Sequence, residues 1–140
     1  MSSFGKIFAT DKNVERDGVH INYGPNAKGD PITLRVARAG GANRAFAQRH
    51  EALTKPYRRL IQADQMDKDV MEKLMHQLYA ETVVKDWSGV LDDNGQPIPF
   101  SPAAVQEQFA LYPDLFADVV DNSTKHALFR EEIREADAKN

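Results

Sequence analysis

The chain has 140 residues, 41% of them hydrophobic and 28% charged, and it contains no cysteine. That balance is ordinary for a single globular domain and supplies enough apolar residues for a core. It excludes disulfides, thiolate nucleophiles and thiolate metal sites. No apolar run approaches the ~18 residues of a membrane helix. The first residues, Met1 to Lys6, carry no apolar signal core, so a cytoplasmic protein is expected.

The net charge of −3 conceals a split. Residues 1–62 carry 11 Lys/Arg against 5 Asp/Glu, a net +6, and residues 63–140 carry 7 against 16, a net −9. Either the two halves fold against each other and cancel, or opposite faces steer partners and drive head-to-tail self-association into a homo-oligomer. Nucleic-acid binding is disfavoured, because the basic half lacks a binding motif and the acidic half repels phosphates.

In chain order, residues 1–18 are rich in turn formers and predict an irregular arm. A single domain over 19–140 follows. Val19, Ile21 and Tyr23 alternate with polar residues, as do Ile32, Leu34 and Val36, which predicts a β-hairpin over about 19–37. Residues 42–138 form the helical part. A first segment runs from Ala42 to about Leu53, and Pro56 opens a second carrying Tyr57, Leu60 and Ile61. The clearest periodicity spans Asp67 to Lys85, with Val70, Met71, Leu74, Met75, Leu78 and Val83 on one stripe. Asp92-Asp93-Asn94-Gly95 predicts a tight turn. Ser101-Pro102 is a helix start, with a capping hydroxyl followed by a residue that needs no amide partner. Pro113 to Ala138 reads as one long or two abutting helices. The fold class expected is mainly α with an N-terminal β-hairpin (α+β), a small helical domain of about four to five helices.

No catalytic constellation survives a spacing test, so a non-enzymatic protein without metal or cofactor is expected. His20, His50, His76 and His126 stand one per element, with no pair at helical ligand spacing, and read as surface or interface residues. Counting back from Gly95, an EF-hand register would place Val90 and Ser101 where calcium ligands belong. Gly40-Gly41 lacks the Gly-Lys-Ser/Thr of a phosphate loop.

The candidate binding residues are Arg58, Arg59, Met71, Met75 and Trp87. Arg58 and Arg59, beside Tyr57, suit phosphate or an acidic partner helix, or else ion pairs with the acidic half. Met71 and Met75, with Met66 nearby, make an adaptable partner groove or ordinary core filling. Trp87 is an aromatic anchor for a partner or a core residue pinning the turn at Gly89.

A longer succession is also present. It runs Tyr79-Ala80-Glu81-Thr82-Val83-Val84, Asp86-Trp87-Ser88-Gly89-Val90, Asp93-Asn94-Gly95, Pro97-Ile98-Pro99-Phe100-Ser101-Pro102, Tyr112-Pro113-Asp114-Leu115-Phe116 and Phe129-Arg130-Glu131-Glu132. Upstream stand Ala37-Arg38-Ala39-Gly40-Gly41-Ala42-Asn43 and Pro56-Tyr57-Arg58-Arg59. In order and spacing this resembles the tail assembly chaperones of long-tailed bacteriophages, from roughly residue 32 onward. The resemblance implies a protein of the host cell cytoplasm that binds the tape measure protein, helps recruit tail tube protein and is usually absent from the finished particle. The competing readings are a structural virion component, such as a tail completion or connector protein, and a small nucleic-acid-binding regulator.

Overall fold

In the computed structural model, which describes residues 2–131, the protein is an α+β domain. Its elements run α1 (Ser3–Phe8), α2 (Lys12–Asp17), β1 (Val19–Pro25), β2 (Pro31–Val36), α3 (Arg44–Thr54), α4 (Arg58–Gln62), α5 (Lys68–Thr82), β3 (Val84–Ser88), α6 (Pro102–Leu111) and α7 (Pro113–Thr124). A 3-10 turn, Lys55–Tyr57, joins α3 to α4, and another, His126–Phe129, follows α7. Four of the helices have ten residues or more.

The hairpin forms as its alternation predicts, with Val19 opposite Val36 and Ile21 opposite Leu34. It does not stand alone. β3 pairs antiparallel with β2, giving a three-stranded sheet in the order β1-β2-β3. The helix expected through Lys85 therefore stops at Thr82, and Val84 to Ser88 joins the sheet. Thr82, Val83 and Val84 are β-branched and lose rotamer freedom in a helix, so the change of period starts there. Thr33 and Ser88 hydroxyls meet at 2.6 Å across the new pairing.

Two further corrections concern the ends. The arm expected to be irregular holds α1 and α2, each six residues long and each started by a capping side chain. Ser2 Oγ accepts from the Gly5 amide, and Asp11 Oδ1 accepts from the Asn13 and Val14 amides. The arm is tied down at Thr10, which bridges Arg130, while the Asp11 amide donates to the Phe129 carbonyl. Of the one long or two abutting helices expected from Pro113 to Ala138, the single long helix is ruled out: α7 ends at Thr124, where the Ser123 and Thr124 hydroxyls bond back to the Val120 carbonyl and compete with the ladder. The charged stretch Glu132 to Lys139 lies outside the described residues.

Other local expectations hold. Ser101 Oγ accepts from the Ala104 amide and Pro102 opens α6. Asp92 Oδ1 accepts from the Asn94 and Gln96 amides, closing the turn at Gly95.

The core joins the sheet to α5, α6 and α7 through Leu34, Val36, Leu78, Val84, Val105, Phe109 and Val119. Beside it lies a cluster of rings. Phe109 meets Phe116 edge-on at 5.0 Å, Tyr79 meets Phe116 at 5.4 Å, and Phe46 meets Tyr79 at 5.4 Å. Such pairs add to the burial of their area.

His76, expected at the surface or an interface, is instead buried in this cluster, 4.5 Å from the Phe116 ring centroid. α5 carries it on the same face as the buried Tyr79 and Ala80, so the helix cannot turn it outward. Burial pushes its imidazole below the usual 6.5, with Glu72 at 3.6 Å opposing. Between 6.5 and that lower value the unfolded chain binds a proton that the folded chain does not. Stability therefore falls as pH falls through that interval. Thermal melts are expected to show stability falling as pH is lowered below about 6.5. In His76→Phe that part of the slope should vanish, and an unchanged slope would assign it to other groups.

Candidate partner-binding groove

The groove is built where the chain reverses between two helices. α4 ends in a Schellman turn: the Gln65 amide donates to the Leu60 carbonyl at 2.8 Å and the Asp64 amide to the Ile61 carbonyl at 3.1 Å. Asp64 occupies the left-handed position at φ +54°, which glycine usually fills. Asp67 then caps α5 through the Asp69 and Val70 amides. The reversal sets Ile61 and Met71 on one groove of about 350 Å³, lined also by His50, Thr54, Arg58 and Gln62.

The walls are anchored from outside the groove. Arg49 of α3 pairs with Glu81 of α5, and Gln77 Nε2 donates to the same carboxylate at 2.9 Å. The Arg49 hydrogen bond holds the Glu81 carboxyl below its usual range against the opposing effect of burial. The rim is looser. Arg58 approaches Glu51 at only 4.0 Å with both side chains largely exposed, a pair too solvated to fix either one. Leu60 and Ile61 are 43% and 37% exposed, so apolar surface continues along α4 beside the groove. Apolar lining residues beside an exposed cation fit an amphipathic helix with an acidic flank.

Of the residues singled out in the sequence, Arg58 and Met71 come together here. Arg59 is exposed, lies outside the lining and forms no ion pair among the described residues. The alternative reading, pairing of these arginines with the acidic half, finds no ion pair among the described residues, since Glu51 belongs to the basic half. Met75, one turn along α5, packs half-buried against the core. Trp87 sits opposite Leu34 in the sheet, donates Nε1–H to the Ile98 carbonyl at 2.8 Å, and meets Phe100 edge-on at 5.7 Å. These contacts tie β3 to the segment before α6, and none of them lines the groove.

His50, Thr54 and Gln62 had no distinguishing pattern. Ile61 did, but as the buried side of an amphipathic segment. In α4 neither Leu60 nor Ile61 is buried. Among the described residues no cluster of His, Asp or Glu is placed to hold a metal ion, and no helix is long and apolar enough to cross a membrane.

Residues 41–140, more than half of the chain, match the family model described as YdaY prophage protein. The chain belongs to the YdaY prophage family. The matched stretch contains the whole groove, from His50 to Met71, whereas α1, α2, β1 and β2 precede it. No curated protein and no solved structure matches the chain. Membership of the YdaY family makes this a phage-derived protein.

Proposed function

We propose that this YdaY-family protein is a non-catalytic tail assembly chaperone, acting in the host cell cytoplasm, that binds the tape measure protein and helps bring tail tube subunits to it. The observation that carries the proposal is the groove between α3, α4 and α5, lined by the apolar Ile61 and Met71 together with Arg58. A long helical partner exposes apolar stripes until the tail is built, and a helix-accepting groove shields them. The prophage family and the resemblance from Tyr79 to Glu132 support the same reading. A binding role also suits the chemistry of the lining, where the Thr54 hydroxyl is engaged with the His50 carbonyl at 2.8 Å.

The test is capture of the tape measure protein of the same prophage by tagged chain. Met71→Asp places a charge in the apolar lining, and binding is expected to weaken at least about tenfold. Arg58→Glu, at an exposed position, is expected to weaken it severalfold through the reversed charge. Capture that both variants leave unchanged would remove the groove from the interface.

One observation favours a second reading. Phe4, Ile7 and Phe8 on α1 are 75%, 47% and 53% exposed, a patch suited to permanent contacts in an assembled structure. Mass spectrometry of purified particles separates the two: the chaperone is absent, and a tail completion or connector protein is present in fixed stoichiometry.

A further inference from the structure

The charge split of the sequence has a structural counterpart away from the groove. Among the described residues the two halves are joined by one ion pair, Arg49–Glu81. Among the described residues, ion pairs between the halves therefore leave most of the first half's positive excess unpaired. Much of it gathers around a single cleft of about 940 Å³ between α2, the start of α3 and β3. Lys12 and Arg16 enter from α2, Arg38 from the loop after β2, Arg44 from α3 and Lys85 from β3. Against these five cations stand two carboxylates, Glu15 and Asp17.

The cleft already shows the chemistry it favours. Glu15 is 2% exposed, and its carboxylate accepts from the Ala42 amide at 2.5 Å and from Arg38 Nη1 at 2.9 Å. Burial alone would raise its carboxyl, but hydrogen bonds from Thr10, the Ala42 amide and Arg38 outweigh burial and hold it below the usual carboxylate range. An amide next to a helix start and a guanidinium thus hold one internal carboxylate, which neutralises Arg38. Lys12, Arg16, Arg44 and Lys85 form no ion pair among the described residues. The start of α3 is open as well. Asn43 stands at its cap position but makes no capping bond, because its side-chain amide donates instead to the Arg38 and Thr82 carbonyls. Burial, with Arg35 close by, pulls the Lys85 ammonium below its usual range, while Asp17 opposes. An incoming anion would relieve that repulsion.

We infer that this cleft binds an acidic, carboxylate-bearing segment of a partner protein, with Arg16, Arg44 and Lys85 as the principal cations. No aromatic residue lines the cleft, so it offers no platform for stacking bases. The site is separate from the α4–α5 groove, sharing no lining residue with it.

The probe is a short labelled poly-L-glutamate peptide, titrated into the full chain by fluorescence anisotropy at about 50 mM salt. Saturable binding is expected, weakened at least about tenfold by the double variant Arg16→Ala/Arg44→Ala. The pair Lys55→Ala/Arg59→Ala, on the basic cluster outside the cleft, should leave it unchanged. Circular dichroism melts confirm that each variant is folded, and Lys85→Gln, which keeps much of the side-chain volume, supplies an independent loss of several-fold. No binding of the peptide, or binding indifferent to Arg16, Arg44 and Lys85, overturns the inference. So does a larger loss from Lys55→Ala/Arg59→Ala. Tighter binding of oligothymidylate or duplex DNA than of poly-L-glutamate also overturns it, in favour of a nucleic-acid site.

Discussion

Phe109→Ala is expected to lower the stability of the fold by about 3–5 kcal/mol. Phe109 is fully buried and, with Phe129, is one of the two largest side chains with no exposure to solvent. It stands on α6, where its ring meets Phe116 at 5.0 Å and His76 at 5.7 Å while its helix packs on α5. Truncation to alanine removes the transfer energy of the ring and leaves a cavity that three elements border. A domain of this size has roughly 5–15 kcal/mol in total, so the loss is a large fraction of it. In a melt it corresponds to a fall of about 10 °C or more. Phe109→Leu retains most of the volume and should recover more than half of the loss. Urea unfolding measures both variants, and a cost below about 1 kcal/mol for the alanine would show that the site collapses without penalty.

Gly89→Ala is expected to cost at least about 3 kcal/mol, although it adds one methyl group. Gly89 follows β3 with φ +74°, a conformation that side-chain-bearing residues rarely adopt. A Cβ there would lie 2.1 Å from the Pro31 carbonyl oxygen and 3.1 Å from Ile32 Cα. Both contacts are backbone, so β2 itself has to move. The movement would strain the pairing of Thr33 with Ser88 and the bond from Asn26 Nδ2 to the Gly89 carbonyl. Gly24→Ala is the internal comparison. Its φ of +96° is also left-handed, but nothing lies within 4 Å of the added Cβ. It should cost only about 1 kcal/mol, the conformational part alone. Equal losses at the two positions, read from the same melts, would mean that the close approach to Pro31 is not a constraint.

These expectations rest on elements that differ in how readable they were. The hairpin was legible because alternation over Val19–Tyr23 and Ile32–Val36 has one physical cause, a face buried on one side. The start of α6 was legible because Ser101 and Pro102 each answer a requirement of a helix N-terminus. β3 was hidden because the apolar periodicity of α5 runs into Val83 and Val84 without a proline or glycine between them. Only pairing with β2 decides where the helix stops. α1 and α2 are shorter than any window in which helical periodicity can be counted, and Asp11, which caps α2, reads equally as a turn former.

The candidate sites follow the same division. Met71 and Arg58 were individually visible, but their juxtaposition depends on the left-handed Asp64, where no glycine signals a reversal. Trp87 carried two readings, and it meets Leu34, Ile98 and Phe100 within the fold. The cationic cleft was present in the sequence only as a charge imbalance. Its members range from Lys12 to Lys85, and no local motif joins residues that far apart.

The most direct test of the proposed function is co-expression of this chain with the tape measure protein of the same prophage. With the chain present, the tape measure protein is expected to move from the insoluble to the soluble fraction and to co-purify with it. A tape measure protein that stays insoluble, with none bound to the chain, would contradict the chaperone reading.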